Sequence, residues 1–398
     1  MLTFYRRLYP FKSIFHWLNH DSTPTRRFTH REFAFTLPGD VYLRHNSFNS
    51  ADDLKKQVCQ LNPTRFEIGP VYSARPRDKK TVRPSAFFPI QRELVFDIDM
   101  TDYDQIRMCC SGAGICKRCW GFIAAAVRVL DHGLRDQFGY ERLLWVYSGR
   151  RGIHLWISDP EAMELTDEQR RVLVDWMGVV FGSEASGKRL NVRSGASKML
   201  PPSLRAAVSS LSPIFVSLIL MDQDCFRSEK GYEALLQMIP DTNTVDALKK
   251  KWAVNPEKSS EDKWQDFKQL VKKSNHRQML SNAMEDVVLQ YTYPRLDVEV
   301  TKHRNHLLKA PFCVHPKTGR VCVPVDSEKI DDFDPEKVPS VGQLIAELDA
   351  LGRSEVDVGG EPQADWEKTS LKPYVDMMDQ LALRLMNETR KEKRDISL

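Results

Sequence analysis

Two aspartates one residue apart, Asp97 and Asp99, sit in the apolar run Glu93-Leu-Val-Phe-Asp-Ile-Asp-Met100. In an extended chain, side chains i and i+2 share a face with Cα atoms roughly 6.5–7 Å apart, so both carboxylates aim at one spot while Phe96, Ile98 and Met100 face away. Asp is disfavoured in strands, and two anions this close raise each other's pKa unless a cation lies between them. Mg²⁺ suits hard oxygen ligands of this kind. The competing reading is an edge strand with a solvated polar face. A second segment, Tyr293-Pro-Arg-Leu-Asp-Val-Glu-Val-Thr301, reads as a strand with Arg295, Asp297 and Glu299 opposite Leu296, Val298 and Val300. If the two strands are neighbours, Asp297 is a third ligand, and three carboxylates from two strands suit a two-metal phosphoryl-transfer site. The sequence leaves that adjacency open.

A cationic loop lies between two apolar segments. Leu-Leu-Trp-Val-Tyr147 is followed by Ser148-Gly-Arg-Arg-Gly152 and then by Ile153-His-Leu-Trp-Ile157. Arg150 and Arg151 offer planar donor forks, Ser148 offers a hydroxyl, and the glycines allow close backbone approach, a set that suits a triphosphate. A double-Arg turn can equally be a solvated tip, but His154 on a buried strand needs a partner. Further cations follow in Lys302-His-Arg-Asn-His-Leu-Leu-Lys309 and Cys313-Val-His-Pro-Lys-Thr-Gly-Arg320, where Lys309 and His315 are candidate phosphate contacts and His303 and His306 read as surface residues. Four of the eight cysteines, Cys109, Cys110, Cys116 and Cys119, fall within eleven residues. Four thiolates fill a closed tetrahedral Zn²⁺ site, which would be structural; a redox pair or chance clustering is the alternative. Cys59, Cys225, Cys313 and Cys322 are isolated and read as core residues.

These groups need elements to position them. Phe33, Phe35 and Leu37 alternate before Pro38-Gly-Asp40, and Val41 and Leu43 resume the alternation, a hairpin pattern. Residues 121–138 have helical spacing. From Thr166 to about Lys273 the pattern is mainly helical, with a capping box at Thr166 and Gln169 and an apolar stripe of Val172, Leu173, Trp176 and Val180. A Gly/Ser-rich break covers residues 182–197, and Gly359 to Pro362 joins two late helices, 341–351 and 374–394. The expected organisation is a catalytic core in two parts, 1–199 and 281–325, a helical insertion at 200–280, and an acidic helical segment at 326–398. The net charge of +4 hides a split: residues 1–92 carry 16 basic and 7 acidic side chains, residues 325–398 carry 10 and 18. A basic front suits a polyanionic ligand. The longest apolar run, Leu211 to Met221, is broken by Ser212, Pro213 and Ser217, short of the roughly 20 residues of a membrane span. The N-terminal stretch, with Arg6, Arg7, Pro10 and Lys12, does not read as a secretory signal, so an intracellular chain with reduced thiols is expected.

In this order the motifs resemble the catalytic small subunits of archaeal and eukaryotic DNA primases, in the eukaryotic version. The resemblance runs from Phe4 to about Val325. It is carried by Arg31-Glu-Phe-Ala-Phe35, Glu93 to Asp99, the Cys109 to Trp120 cluster, Ser148 to His154, Tyr293 to Asp297 and Asn305 to Gly319. It implies a primase-type mixed α/β core with an embedded zinc site and a helical insertion. Asp97, Asp99 and Asp297 would bind catalytic Mg²⁺ or Mn²⁺. Ser148, Arg150, Arg151, His154, Lys309 and His315 would hold the triphosphate. Glu67 would approach the ribose, at a position where the family pattern has Asp, and Glu32 and Arg44 would lie in or near the active site, for initiation or for primer-template contact. The implied activity is de novo synthesis of short RNA primers on single-stranded DNA from ribonucleoside triphosphates. The implied partners are a large primase subunit bearing an iron-sulfur cluster and the DNA polymerase alpha complex, in the nucleus and away from membranes. The competing readings are a repair or bypass primase-polymerase of the same superfamily and a non-catalytic zinc-containing nucleic-acid-binding protein.

Overall fold

The computed structural model describes residues 1–181, 192–193, 199–351 and 364–396. Most of the Gly/Ser-rich break and the Gly359 to Pro362 joint therefore lie outside the described residues. The fold is mixed α/β, as expected, and two antiparallel sheets carry it. One contains β1 (Arg31–Thr36), β2 (Tyr42–Asn46), β3 (Arg65–Tyr72) and β10 (Leu308–Lys309) in the order β10-β3-β1-β2, with β4 (Pro89–Gln91) also paired to β3. The other contains β5 (Leu94–Asp99), β6 (Leu143–Tyr147), β7 (Gly152–Ile157) and β11 (Pro324–Val325) in the order β11-β6-β7-β5. A short parallel pair, β8 (Val180–Phe181) with β9 (Arg295–Leu296), completes the strands among the described residues.

Both expected hairpins form. The Leu37 amide donates to the Val41 carbonyl across the first turn, and β6 pairs with β7 from Leu143↔Ile157 to Tyr147↔Ile153. The helix Lys117–Phe138 closes at Gly139, whose φ of 71° gives the left-handed cap that glycine adopts without strain. Its Gly121 lies where an added Cβ would stand 2.8 Å from Leu218 Cδ1, so this helix seats directly on the helical region.

Two sequence expectations are corrected. The segment 293–301 is not one strand. Extended structure stops at Leu296, because the Asp297 side chain accepts the Glu299 amide and caps the helix Val298–Lys302. Asp297 and Glu299 therefore do not share a strand face. The helix Asp167–Met177 has its capping box, but it buries Arg170, Leu173, Val174 and Met177. Val172 and Trp176, assigned to the apolar stripe, are 64% and 56% exposed.

Between Pro202 and Thr292 the regular structure is all helical, and the last of these helices, Arg277–Thr292, runs past residue 280. Here the run-length argument about membranes also needs correction. Pro202–Asp222 is continuously helical and apolar enough, by length and composition, to cross a bilayer. Apolar run length understates it because Ser212, Pro213 and Ser217 stay helical. Leu204, Leu211, Phe215, Leu218, Ile219 and Leu220 are buried in the fold, and its final turns, Phe215–Asp222, widen to a π-helix just after Pro213.

The core joins the helix Phe11–Asn19 to the second sheet through aromatic contacts such as Trp17 on Trp156, edge to face at 5.3 Å. A buried ionic junction sits beside it. Glu93 accepts two bonds from Arg31 and one from Arg92, while Arg170 donates to the backbone carbonyls of Arg92 and Glu93. All four side chains are fully buried. The late helix Lys372–Ile396 lies on Phe11–Asn19 and buries Val375, Met378, Ala382 and Leu385.

Candidate active site

The floor of the site is β5 paired to β7. Asp97 stands opposite His154 and Asp99 opposite Gly152, and His154 Nε2 lies 3.6 Å from Asp97 Oδ1. The third carboxylate reaches this place through the backbone, because the Asp297 amide donates to the Asp97 carbonyl at 3.0 Å. Burial, with Asp99 and Asp297 adding like charge, pushes the Asp97 carboxyl up to about 7. Burial would also raise Asp99, but Arg151 and Thr101 reverse that and hold it below its ordinary value. Arg151 Nε donates to both Asp99 oxygens, at 2.7 and 3.1 Å, and Thr101 donates through its amide and its hydroxyl. With Asp99 turned to Arg151 and Asp297 to its helix cap, the three carboxylates are not gathered as tightly as a metal would draw them. Their chemistry fits a divalent cation all the same: three acidic groups converge, and the central one is kept from ionising freely.

Above the floor lies a cluster of cations. Lys309 Nζ donates to the Ser148 carbonyl at 2.5 Å, joining β10 to the β6–β7 turn. The Ser148 hydroxyl accepts the Gly152 amide, so it shapes the turn from within. Gly149, at φ 82°, is a position only glycine fits, since a Cβ there would lie 2.8 Å from His315 Cβ. Burial lowers His315 to about 4, with help from Lys309, Arg150, Arg65 and Arg151. Burial lowers His154 to about 3, with Lys309 acting in the same direction, so this ring is neutral at pH 7. Its Nδ1 is buried without a partner.

The polar face of the other sheet forms the third wall. Paired residues put Lys309, Glu67 and Ala34 side by side across β10, β3 and β1. Glu67 accepts from Tyr42 Oη at 2.5 Å. Glu32 is fully buried and accepts from Arg44 Nε at 3.0 Å, the His45 amide at 3.0 Å and Tyr72 Oη at 3.1 Å.

Comparison with known proteins follows this geometry. A family model described as DNA primase small subunit matches residues 96–327, which include the three aspartates, the turn and Lys309. The DNA primase small subunit of Schizosaccharomyces pombe is 46% identical over 99% of this chain and 91% of its own length. That of Saccharomyces cerevisiae is 41% identical over 98% and 93%. The chain belongs to the DNA primase small subunit family. It is a catalytic primase subunit, a nucleotidyltransferase, and membership of this family implies divalent-metal catalysis. A polymerase domain of Mycobacterium tuberculosis ligase D in complex with DNA aligns over 92% of this chain and 90% of its own at a TM-score of 0.38 and 11% identity, too distant for any argument.

The primase chain also carries its cysteine cluster beside this floor. The Sγ atoms of Cys109, Cys110, Cys116 and Cys119 all lie within 4.8 Å of one another, and Cys116 and Cys119 are 3.8 Å apart. Tetrahedral ligands at Zn–S about 2.3 Å stand about 3.8 Å apart, so the spacing fits zinc. All eight cysteines are free. Buried Arg107 ties the loop by donating to the carbonyls of Gly112 and Gly114, and the Gly112 carbonyl also accepts from Arg151 at 3.4 Å. Sequence reasoning missed Asp102, which burial and Asp99 push up to about 6 and which adds to the charge on Asp97. It also missed Arg65 near His315, and the tyrosines on Glu32 and Glu67. Asp102, three residues beyond Asp99, had a readable signal; the tyrosines had none, since only the strand pairing brings them in.

Proposed function

We propose that this chain makes RNA primers de novo on single-stranded DNA, joining a 3′-hydroxyl to the α-phosphorus of a ribonucleoside triphosphate with release of pyrophosphate. The observation that carries the reading is the Asp297 amide on the Asp97 carbonyl, which brings a third carboxylate to the Asp97–Asp99 pair directly beneath the cationic turn. Asp97, Asp99 and Asp297 are the residues that would hold Mg²⁺ or Mn²⁺. Such ions supply a more acidic attacking hydroxyl and charge neutralisation at the leaving group.

The chain's own residues do the positioning. Arg150, Arg151, Lys309 and His315 receive the triphosphate, with the turn held by Ser148 and Gly149. The neutral His154, whose Nε2 lies beside Asp97, meets the nucleotide from the floor, and Arg151 exchanges its Asp99 partner for phosphate oxygens. Glu67, fixed by Tyr42, lies on the wall suited to the ribose. Glu32 fixes Arg44, which faces primer or template. Cys109, Cys110, Cys116 and Cys119 would hold a structural zinc. The core halves, 1–199 and 281–325, flank the helical insertion, and 326–398 is the acidic segment. A large subunit with an iron-sulfur cluster, the DNA polymerase alpha complex and a nuclear location complete the reading.

The test is primer synthesis on a pyrimidine-rich single strand. Asp99→Ala should lower dinucleotide formation about a hundred- to a thousandfold, the range for removal of a key charge-stabilising group, in a protein that still folds. Wild type should prefer ribonucleotides for the first bond. Full activity in Asp99→Ala would overturn the site.

A further inference from the structure

The polar sheet face does not end at Arg44. Beyond the edge strand β2 it continues into residues 73–88, which carry Arg75, Arg77, Lys79, Lys80 and Arg83 against the single acid Asp78. All five cations are exposed, and so is Phe88, at 51%. The ends of this loop are pinned together. The Ser73 amide donates to the Phe88 carbonyl, the Ser73 hydroxyl donates to the Ala86 carbonyl, and the Phe88 amide donates to the Ser73 hydroxyl. Its interior is anchored on the site wall. Phe87 stacks on Tyr72 at 4.3 Å with the rings 8° from parallel, and Tyr72 donates to Glu32. Lys79 Nζ contacts His45 Nε2 at 2.9 Å, beside the Arg44–Glu32 pair.

We infer that this loop is the track on which single-stranded template lies as it enters the site, with Arg75, Arg77, Lys80 and Arg83 along the phosphates and Phe88 stacking on a base. The inference rests on the primase reading and names a surface for its template. Four features carry it. A dense row of cations with one acid attracts a polyanion. An exposed aromatic inside that row suits unpaired bases, whose faces are free to stack, and not a duplex, whose bases are already stacked. The pinned ends and the Phe87–Tyr72 stack hold the row in place before any ligand arrives. Finally, three steps of about 4.8 Å separate β10 from β2, so about 15 Å of sheet face lies between Lys309 and the loop, a length that a few nucleotides span. Along it the acids Glu67 and Glu32 are already paired with Arg65, at 3.5 Å, and Arg44, so the face does not repel a phosphate chain.

The test uses the full chain in primer synthesis on oligodeoxythymidine with ATP, varying template and ATP separately. Lys80→Glu with Arg83→Glu should raise the apparent KM for template at least about tenfold and leave the KM for ATP within about twofold. Losing two phosphate contacts should lower the log–log salt slope of template binding by about 1.4. Phe88→Ala should weaken binding of the labelled single strand about tenfold, within the range for one stacked base, with little effect on binding of a duplex competitor. Lys80→Ala with Arg83→Ala keeps the test open should the reversal disturb folding. An unchanged template KM in both charge variants, or equal losses on single strand and duplex for Phe88→Ala, would overturn the track. Retained synthesis in Asp99→Ala would instead overturn the primase site, so the two failures are separable.

Discussion

Asp97 is the residue on which the site's pH response turns. Its carboxyl stands near 7 in the folded chain against an ordinary 3.8, with burial as the main cause. Between those values the folded chain binds more protons than the unfolded one, so metal-free stability falls as pH rises through that window. Asp102, pushed to about 6, acts in the same direction. A divalent cation needs the ionised carboxylate, so the increase in melting temperature given by Mn²⁺ should be small at pH 6 and larger at pH 8. Asp97→Asn should lose both the Mn²⁺ effect and most of the pH trend. Melting curves with and without Mn²⁺ across that range decide it; a metal effect independent of pH would count against the assignment. The pairing of Asp97 with Asp99 was readable because strand geometry has a period of two. The hold of Arg151 on Asp99 was not, since nothing in the spacing of Ser148 to Gly152 says which side of β5 the turn returns to.

Among the elements, three meet at the Arg31–Glu93–Arg92–Arg170 junction: strand β1, the entrance to β5 and the helix Asp167–Met177. One buried carboxylate serves cations from two of them while the third binds the backbone between. Burial alone would raise Glu93, yet Arg31 and Arg92 bring it down to about 2. Its stabilisation is thus present above its ordinary value of 4.5 and lost as pH falls through about 2. Glu93→Ala leaves buried guanidinium groups without their partner and should cost about 3–5 kcal/mol in urea unfolding. A loss under 1 kcal/mol would mean the junction is filled by other means. The same elements show where pattern reading stops. Apolar spacing gave the helix at Asp167–Met177 but put Val172 and Trp176 inside, because the buried position at Arg170 is charged and invisible to a count of apolar residues. Alternation gave a strand through residue 300, whereas the side chain of Asp297 ends it by bonding the backbone two residues on.

For the molecule as a whole, the chain ends meet through ion pairs, and of those to the first ninety residues one, Arg7 with Asp365, follows the charge split while another, Lys393 with Asp21, runs against it. Lys393 pairs with Asp21 and Arg7 with Asp365, and Arg142 bonds both Glu388 and Asp159. The exposed pairs, Arg7–Asp365 and Lys393–Asp21, contribute little; the apolar seam beneath them holds the tail. Met378→Ala, fully buried in that seam, should cost about 2–5 kcal/mol by cavity formation, read as a lower denaturant midpoint with catalytic constants unchanged. The tail helix was legible as a helical stretch at 374–394, while its docking site on Phe11–Asn19 was not, as that depends on where the ends come to rest. The bond from the Asp297 amide to the Asp97 carbonyl has a consequence in time. Two hundred residues separate its partners, and at about 5–20 residues per second a ribosome needs about 10–40 s to pass from one to the other. During that interval the emerging chain holds two carboxylates with no third, no Lys309 and no His315. If these residues act as proposed, nucleotide chemistry starts only once the chain has been made as far as residue 315, and a product cut short before that point is a silent one.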